Sequence, residues 1–294
     1  MLRAARCVPL IANPTAGLGR SGRALPQVIQ CLGGLGWRVR VHLTHHPEEA
    51  AELAQRLCGQ YDRLLVVGGD GTIHSVLPAL AGSQTALVVM PVGMSNGAAR
   101  ELHIPRSISG MCKVATGDKV RAIDLGCANG EPFLLMAGIG FDAAVVQSVN
   151  PRLKKWLGPA AYLLTALKHA PRARCCDMMI AADGRHFEFK GWLAVVSNTA
   201  TYTYKWKAVP GADCANGSLD ACIFEYGGLR STAGQVMGAF AGLHVRHPRV
   251  RCLAAAEFEF DCDPPMPVQL DGDAAGLTPL RVTVMPQALR VLVP

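Results

Sequence analysis

Short runs of uninterrupted apolar residues mark the first hundred positions: Val8 to Ala12, Leu64 to Val67 and Ala86 to Met90. Runs of this length without polar alternation are expected of strands buried on both faces, as in a parallel sheet covered by helices. Between them the spacing becomes helical over Leu25 to Leu32 and over Glu48 to Leu57, where Pro47 suits a first turn, and Arg38 to Leu43 reads as a further strand. A helical pattern also follows Ile73, and another runs through Leu102 from a cap at Ser95 or Asn96. This alternation predicts an α/β N-terminal domain with a parallel sheet.

The pattern shifts near Lys119 to Gly130. A strand through Ile123-Asp124-Leu125 ends at Gly126, and Asn129-Gly130 is a hairpin signal, so the first domain is expected to end here. Beyond it short β-type runs dominate: Phe133 to Ala137, Met178 to Ala182, His186 to Phe189, Trp192 to Val196, Leu219 to Phe224, Arg251 to Ala255, Phe258 to Phe260, Val268 to Leu270 and Arg281 to Val284. Asp183-Gly184 and Asn216-Gly217 are further hairpin signals, and helical spacing interrupts the strands at Ala160 to His169 and Thr232 to Leu243. The second domain is therefore expected to be α+β or sandwich-like.

Each buried-type run of the first half ends in a loop of small residues. Leu64 to Val67 passes into Gly68-Gly69-Asp70-Gly71-Thr72 and then Ile73-His74. Glycines let the backbone turn tightly and approach a ligand, and the N–H groups that open the next helix favour an anion, so this layout suits phosphate. Asp70 adds a carboxylate for a magnesium ion or a hydroxyl, or else caps the helix. Asn13-Pro14-Thr15-Ala16-Gly17 ends the first strand, Thr44 lies at the exit of the second, and Pro91-Val92-Gly93-Met94-Ser95-Asn96-Gly97 ends the fourth. Parallel strands bring such loops to one carboxyl edge, where α/β sheets bind ligands.

Composition narrows the partner only a little. The 294 residues carry a formal charge of +7 and are 50% apolar, which excludes global disorder and suits an anionic surface, a nucleotide or nucleic acid. Aromatic residues make up only 6%, and no RNP-like or zinc-finger pattern occurs, so nucleic acid is not expected. Eleven cysteines without paired spacing and no secretory signal read as reduced thiols in a cytoplasmic protein. No apolar stretch approaches the roughly 20 residues of a membrane span. His42, His45 and His46 lack further ligands and read as solvated or loop histidines rather than a metal site. Arg152, Lys154, Lys155 and Trp156, with Lys168, Arg172 and Arg174, form either a lipid-headgroup contact or a solvated basic face. Gln269-Leu270-Asp271-Gly272-Asp273 supplies two carboxylates around a glycine, either a general base or an Asp-Gly turn.

In order along the chain stand NPTAG, VVGGDGTIHSV, PVGMSN, AIDLG, FLLMAGIGFDAAV, GLHVRHPRV and VQLDGDAAGLTPLRVTVMPQALRVLVP. This succession resembles the diacylglycerol kinase catalytic-domain family, above all its bacterial soluble lipid kinases, and is similar to sphingosine and ceramide kinases. GGDGT alone is shared with NAD kinases and phosphofructokinases; the closing DGD and TP segment and the IDLG hinge are what resemble lipid kinases. The resemblance implies a nucleotide-binding α/β domain over residues 1–125 with the tail 285–294, and a β-rich lipid domain over 126–284. It implies ATP and magnesium as cofactors. Asn13, Pro14, Thr15, Ala16, Gly17, Thr44, Gly68, Gly69, Asp70, Gly71, Thr72, Ile73, His74, Ser95 and Asn96 would bind nucleotide. Asp70 and Asp124 would join the metal and water network, and Asp271 or Asp273 would take the proton of a lipid hydroxyl, with Asp70 also in the catalytic set. A lipid substrate and peripheral contact with an anionic membrane, aided by Lys154 and Lys205-Trp206-Lys207, follow from the same resemblance, and a homodimer stays open.

Four positions depart from the family pattern. Met94 replaces a threonine, Gly97 an aspartate, Asp273 the glutamate of a DGE motif, and Ala215-Asn216-Gly217 a DDG metal loop. Tyr202 to Lys207 also stands where a YGGG segment often follows the family's asparagine. Two alternatives accompany the lipid-kinase reading: a degenerate kinase fold that binds nucleotide or lipid without turnover, and a kinase of the superfamily acting on a soluble substrate such as NAD.

Overall fold

The computed structural model describes residues 6–148, 165, 168, 175–203, 206, 207 and 209–294. The chain divides into two compact units, Met1–Ile123 with Pro286–Pro294, and Asp124–Met285. It passes between them through two strands, β5 and β17 below.

In the first unit, β1 (Arg6–Ala12), α1 (Ala16–Gly34), β2 (Trp37–Leu43), α2 (Pro47–Leu57), β3 (Arg63–Gly68), α3 (Asp70–Leu80) and β4 (Ala86–Pro91) alternate. Two short helices, α4 (Gly97–Glu101) and α5 (Ile108–Thr116), precede β5 (Val120–Ala128). The strands are parallel in the order β4, β3, β1, β2. All six residues of β3 and of β4 are buried, as their unbroken apolar runs require. β2 instead alternates, which suits the end of a sheet with one face on the helices and the other open. Its His42 is half-buried with Nε2 enclosed, which corrects the expectation of a solvated histidine. Burial first, then Arg40 and Arg56, lowers its pKa, so the imidazole is held neutral.

α1 starts well before the expected Leu25 and carries Pro26 inside it. Its first residues are not a regular turn, because Gly17, Leu18 and Gly19 all have positive φ. The expected loop is thus present, folded back against the helix that follows it.

The second unit contains β6 (Glu131–Phe133), β7 (Met136–Gly140), α6 (Phe141–Ser148), β8 (Cys176–Ala182), β9 (Arg185–Ser197), β10 (Thr201–Thr203), β11 (Trp206–Lys207) and β12 (Leu219–Glu225). α7 (Leu229–Ala241), β13 (Val250–Ala255), β14 (Glu257–Asp263), β15 (Pro267–Leu270), β16 (Asp273–Leu277) and β17 (Leu280–Leu292) complete it. The pairings of β6 to β16 are antiparallel, and the long β9 meets β8 with its first half and β7 and β12 with its second. Phe133, Phe258, Phe260, Ile139 and Val268 are among the buried residues at its core. The last part of β17 belongs to the first unit, where Val291 pairs in parallel with Leu87.

Asn129-Gly130 and Asp183-Gly184 form the expected two-residue hairpins, with positive φ at both positions. Asn216-Gly217 does not: it lies in a loop before β12, where Asn216 Oδ1 accepts from the Ser218 N–H at 2.9 Å. The expected strand over Phe133 to Ala137 is broken at Leu134 and Leu135, for a reason found in the site below. The expected helix Ala160 to His169 and the basic stretch Arg152 to Arg174 lie outside the described residues, apart from positions 165 and 168, as does Lys205. Among the described residues no helix is long and apolar enough to cross a membrane.

Candidate functional site

The carboxyl ends of β1, β3 and β4 deliver three loops that touch one another. The Asn13 N–H donates to the Val67 carbonyl at 3.3 Å, and the Val92 and Gly93 N–H groups both donate to the Gly68 carbonyl at 3.2 Å. Contact is close enough to demand glycine. A Cβ on Gly17 would sit 2.1 Å from the Val92 oxygen, and one on Gly93 would sit 2.5 Å from the Gly69 Cα. Within the first loop the Thr15 N–H and hydroxyl donate to Asn13 Oδ1 at 3.0 and 2.7 Å, and the Pro14 carbonyl accepts from Gly22 at 3.1 Å. Ala16 follows, its N–H on the Asn13 carbonyl at 3.2 Å.

α3 begins at this junction with Gly69 as its cap residue and no side-chain cap. Its opening N–H groups have no partner within the helix and suit an anion. Asp70 Oδ1 accepts from the Ala98 N–H at 3.2 Å, capping α4. The Asn96 cap expected there is replaced: Asn96 has a φ of 52° and its Nδ2 donates to the Gly93 carbonyl at 2.9 Å. Its Oδ1 is buried with no hydrogen-bond partner, a state that usually marks a group satisfied by water or a ligand. Ser95 is half-buried beside it, and its carbonyl accepts from Arg100 Nε at 3.1 Å. Thr44 is buried, its N–H and hydroxyl both on the Ala12 carbonyl, at 2.9 and 3.4 Å. Ile73 and His74 are buried on α3, and the Ile73 N–H is already donated to the Gly69 carbonyl at 3.1 Å.

A second cluster belongs to the Asp124–Met285 unit. Asp271 and Gly272, with φ of 50° and 99°, make the two-residue turn between β15 and β16, where Leu270 faces Asp273. The Asp271 carboxylate accepts three backbone N–H groups: Leu134 on Oδ2 at 2.8 Å, and Leu135 and Met136 on Oδ1 at 2.8 and 3.0 Å. These bonds are why the expected strand breaks at Leu134, whose donors turn to a side chain instead of a neighbouring strand. From the other side Gln269 Oε1 accepts the Gly272 N–H at 2.6 Å, while Gln269 Nε2 donates to Asp142 Oδ2 at 2.8 Å. Asp273 is exposed at the start of β16.

Asp124 is buried. Its Oδ2 accepts the Gly217 N–H at 2.8 Å, and its carbonyl accepts Asn198 Nδ2 at 2.9 Å. Asn198 Nδ2 also reaches the Leu134 carbonyl at 2.9 Å, so Asp124 and Asp271 are tied to the same segment. The roles of Asn198, Gln269 and Asp142 had no sequence signal beyond their being polar within apolar surroundings.

Among the described residues no group of three or more His, Cys, Asp or Glu side chains is gathered to hold a metal ion. Magnesium at phosphoryl-transfer sites is held by one or two carboxylates together with phosphate oxygens and waters. Asp70, the single carboxylate on the three glycine loops, fits that mode. Asp124 lies in the second unit with its Oδ2 on a backbone donor.

Residues 8–128 match the family described as the diacylglycerol kinase catalytic domain. Residues 136–293 match the one described as the YegS C-terminal NAD kinase beta sandwich-like domain. A diacylglycerol kinase of Staphylococcus haemolyticus is 28% identical over 292 residues, covering 98% of this chain and 88% of its own. One from Bacillus subtilis is 28% identical over 289 residues, covering 97% and 95%. A crystal structure from Bacillus anthracis matches with a TM-score of 0.82 at 23% identity, covering 99% of this chain and 96% of its own. Another from the same species, described as a diacylglycerol kinase, gives 0.76 at 19% identity, covering 98% and 97%. With an α/β unit carrying the glycine loops and a β-sandwich-like unit carrying the Asp271 turn, the chain belongs to the diacylglycerol kinase catalytic-domain family.

Proposed function

We propose that this chain is an ATP-dependent lipid kinase that transfers the γ-phosphoryl group to the hydroxyl of diacylglycerol or a related lipid. The observation that carries the reading is the meeting of three glycine loops around the uncapped start of α3, with Asp70 as their only carboxylate. Relatives named diacylglycerol kinase, similar along nearly the whole chain, support a lipid acceptor.

In this reading the N–H groups from Gly69 to Thr72 and those of Gly17 and Leu18 cradle the phosphates, and the buried Asn96 Oδ1 accepts from the nucleotide or its water shell. Asp70 holds magnesium, which when bound neutralises charge on the phosphate oxygens. The lipid oxygen attacks the γ-phosphorus, its proton passes to a carboxylate and ADP leaves. That carboxylate is Asp273. A carboxylate has about four acceptor sites, and on Asp271 backbone donors take three of them. Asp271 is a positioning residue that fixes the turn from which Asp273 projects.

The test is radiolabelled ATP with magnesium and mixed micelles of diacylglycerol, monoacylglycerol, ceramide, sphingosine and phosphatidylglycerol in turn, with NAD as a soluble control. Label is expected in a lipid, and Asp70→Ala is expected to lower transfer by about 10³-fold or more. Calorimetry of ATP binding accompanies it. Bound ATP with no label in any acceptor assigns the chain to a non-catalytic binder, the outcome that Gly97 in place of a second carboxylate would favour. Label in NAD alone assigns a soluble substrate.

A further inference from the structure

Exposed apolar side chains concentrate on α7 and the turn after it. Leu229 is 62% exposed, Met237 73%, Leu243 49% and Val245 37%. Four of the eleven large exposed apolar side chains among the described residues thus fall between positions 229 and 245, a density that scattered surface residues do not reach.

The orientation of the helix is fixed from within. Gln235 is fully buried; its Oε1 accepts from Trp192 Nε1 at 2.7 Å and its Nε2 donates to the Glu225 carbonyl at 2.8 Å. With Gln235 turned inward, Arg230, Ala233, Gly234, Met237 and Ala241 form one exposed stripe at helical spacing. The outer stripe of a surface helix is ordinarily polar. Here its only charge is Arg230, at one end. After the left-handed Gly242, the Leu243 N–H returns to the Gly238 carbonyl at 2.7 Å, and buried His244 stacks on Phe224 at 5.7 Å. Leu243 and Val245, which flank that anchor, are left facing out.

The chain segment that carries this stripe has charge of one sign. From Tyr226 to Ala256 there is no Asp or Glu, while Arg230, Arg246, Arg249 and Arg251 are present. Arg251 pairs with Glu225 at 2.8 Å and Arg249 turns to the Tyr226 carbonyl at 3.5 Å. Arg230 and Arg246 are exposed beside the apolar positions.

We propose that the outer stripe of α7 and the turn through Val245 dock on an anionic lipid bilayer. Met237, Leu243 and Val245 enter the boundary between headgroups and acyl chains, and Arg230 and Arg246 meet lipid phosphates. A second copy of this chain fits less well: a two-fold contact would set this arginine-bearing patch against itself with no carboxylate to answer it. A nucleic acid would leave the apolar side chains nothing to enter. The inference deepens the lipid-kinase reading and rests on it only for the purpose of docking, since binding to a bilayer is a property of the surface alone.

The experiment is flotation of the full chain with vesicles of phosphatidylcholine alone or of equal parts phosphatidylcholine and phosphatidylglycerol. Binding is expected to the mixed vesicles and to weaken as salt is added. Arg230→Gln with Arg246→Gln should lower partitioning about 30-fold. Met237→Glu with Leu243→Gln should lower it about tenfold or more. Both double variants should melt like the parent, because the altered side chains are exposed. They should also phosphorylate short-chain diacylglycerol dissolved without vesicles at the parent rate. No binding by the parent, or parent-like binding by both variants, overturns the proposal. So does a dimer, seen by sedimentation, that the Met237 and Leu243 variant dissociates while vesicle binding is unchanged. Vesicle binding that both variants lose, in a protein that phosphorylates no lipid, keeps the docking surface and removes the lipid-kinase reading instead.

Discussion

The glycine loops of the first unit and the Asp271 turn of the second both place chemistry at the end of a strand, but they are built in opposite ways. At the loops the functional surface is backbone: side chains are removed so that N–H groups come forward, and Gly17 and Gly93 sit too close to their neighbours for a Cβ. At the turn a side chain does the structural work, with one carboxylate gathering three N–H groups and Gln269 closing the other side. A backbone site is sensitive to added volume. A carboxylate-organised site is sensitive to a change of donor and acceptor pattern, at constant volume.

The contrast is sharpest between the two aspartates flanking Gly272, and the larger effect on activity belongs to the exposed one. Asp273→Asn should lower the rate of phosphoryl transfer about 10²–10³-fold. Its melting temperature and its affinity for ATP should remain those of the parent, since an exposed side chain is replaced by its isostere. Steady-state kinetics beside a thermal melt checks this. A parent-like rate would remove Asp273 as the proton acceptor.

Asp271→Asn should act through the fold. The amide presents a donor where an oxygen now accepts, setting N–H against the Leu134 N–H or against those of Leu135 and Met136. Leaving such a donor unsatisfied costs about 1–3 kcal/mol. Denaturant unfolding should show that loss, and any fall in activity should track the displacement of the turn. Unchanged stability with activity lost would mean that Asp271, not Asp273, meets the substrate.

How much of each region the sequence discloses follows from this difference in construction. Glycine at a strand end has few reasons to be there, so the loops at Asn13, Gly68 and Pro91 are visible as a pattern, and parallel topology brings them together without further information. The same logic makes Asn129-Gly130 and Asp183-Gly184 visible as hairpins. Asp70 was legible as a residue of interest but not as the cap of α4, because its partner Ala98 lies on another helix. The break at Leu134, the turn of Asn216-Gly217 toward Asp124 and the roles of Asn198 and Gln269 depend on which distant groups fold against them. No local preference encodes such pairings. β17 likewise shows only its first residues as a strand pattern, because its later residues cross into the other unit.

Two glycines in one loop allow the backbone side of the contrast to be broken on its own. Gly17 and Gly19 both have positive φ, at 61° and 77°, so a Cβ is strained by conformation at either position. They differ in surroundings. A Cβ on Gly17 meets the Val92 carbonyl oxygen, whereas one on Gly19 meets nothing within 4 Å. Gly17→Ala must therefore push the first loop off the third, and ATP affinity measured by calorimetry should fall about tenfold. Gly19→Ala carries the conformational cost alone, about 1 kcal/mol of stability by thermal or denaturant unfolding, with ATP affinity within about twofold of the parent because no loop has to move. Equal losses of affinity in the two variants would mean that left-handed backbone, rather than contact between loops, shapes the cradle. Parent-like affinity in both would mean that the first loop takes no part in it, and that phosphate is held by the start of α3 alone.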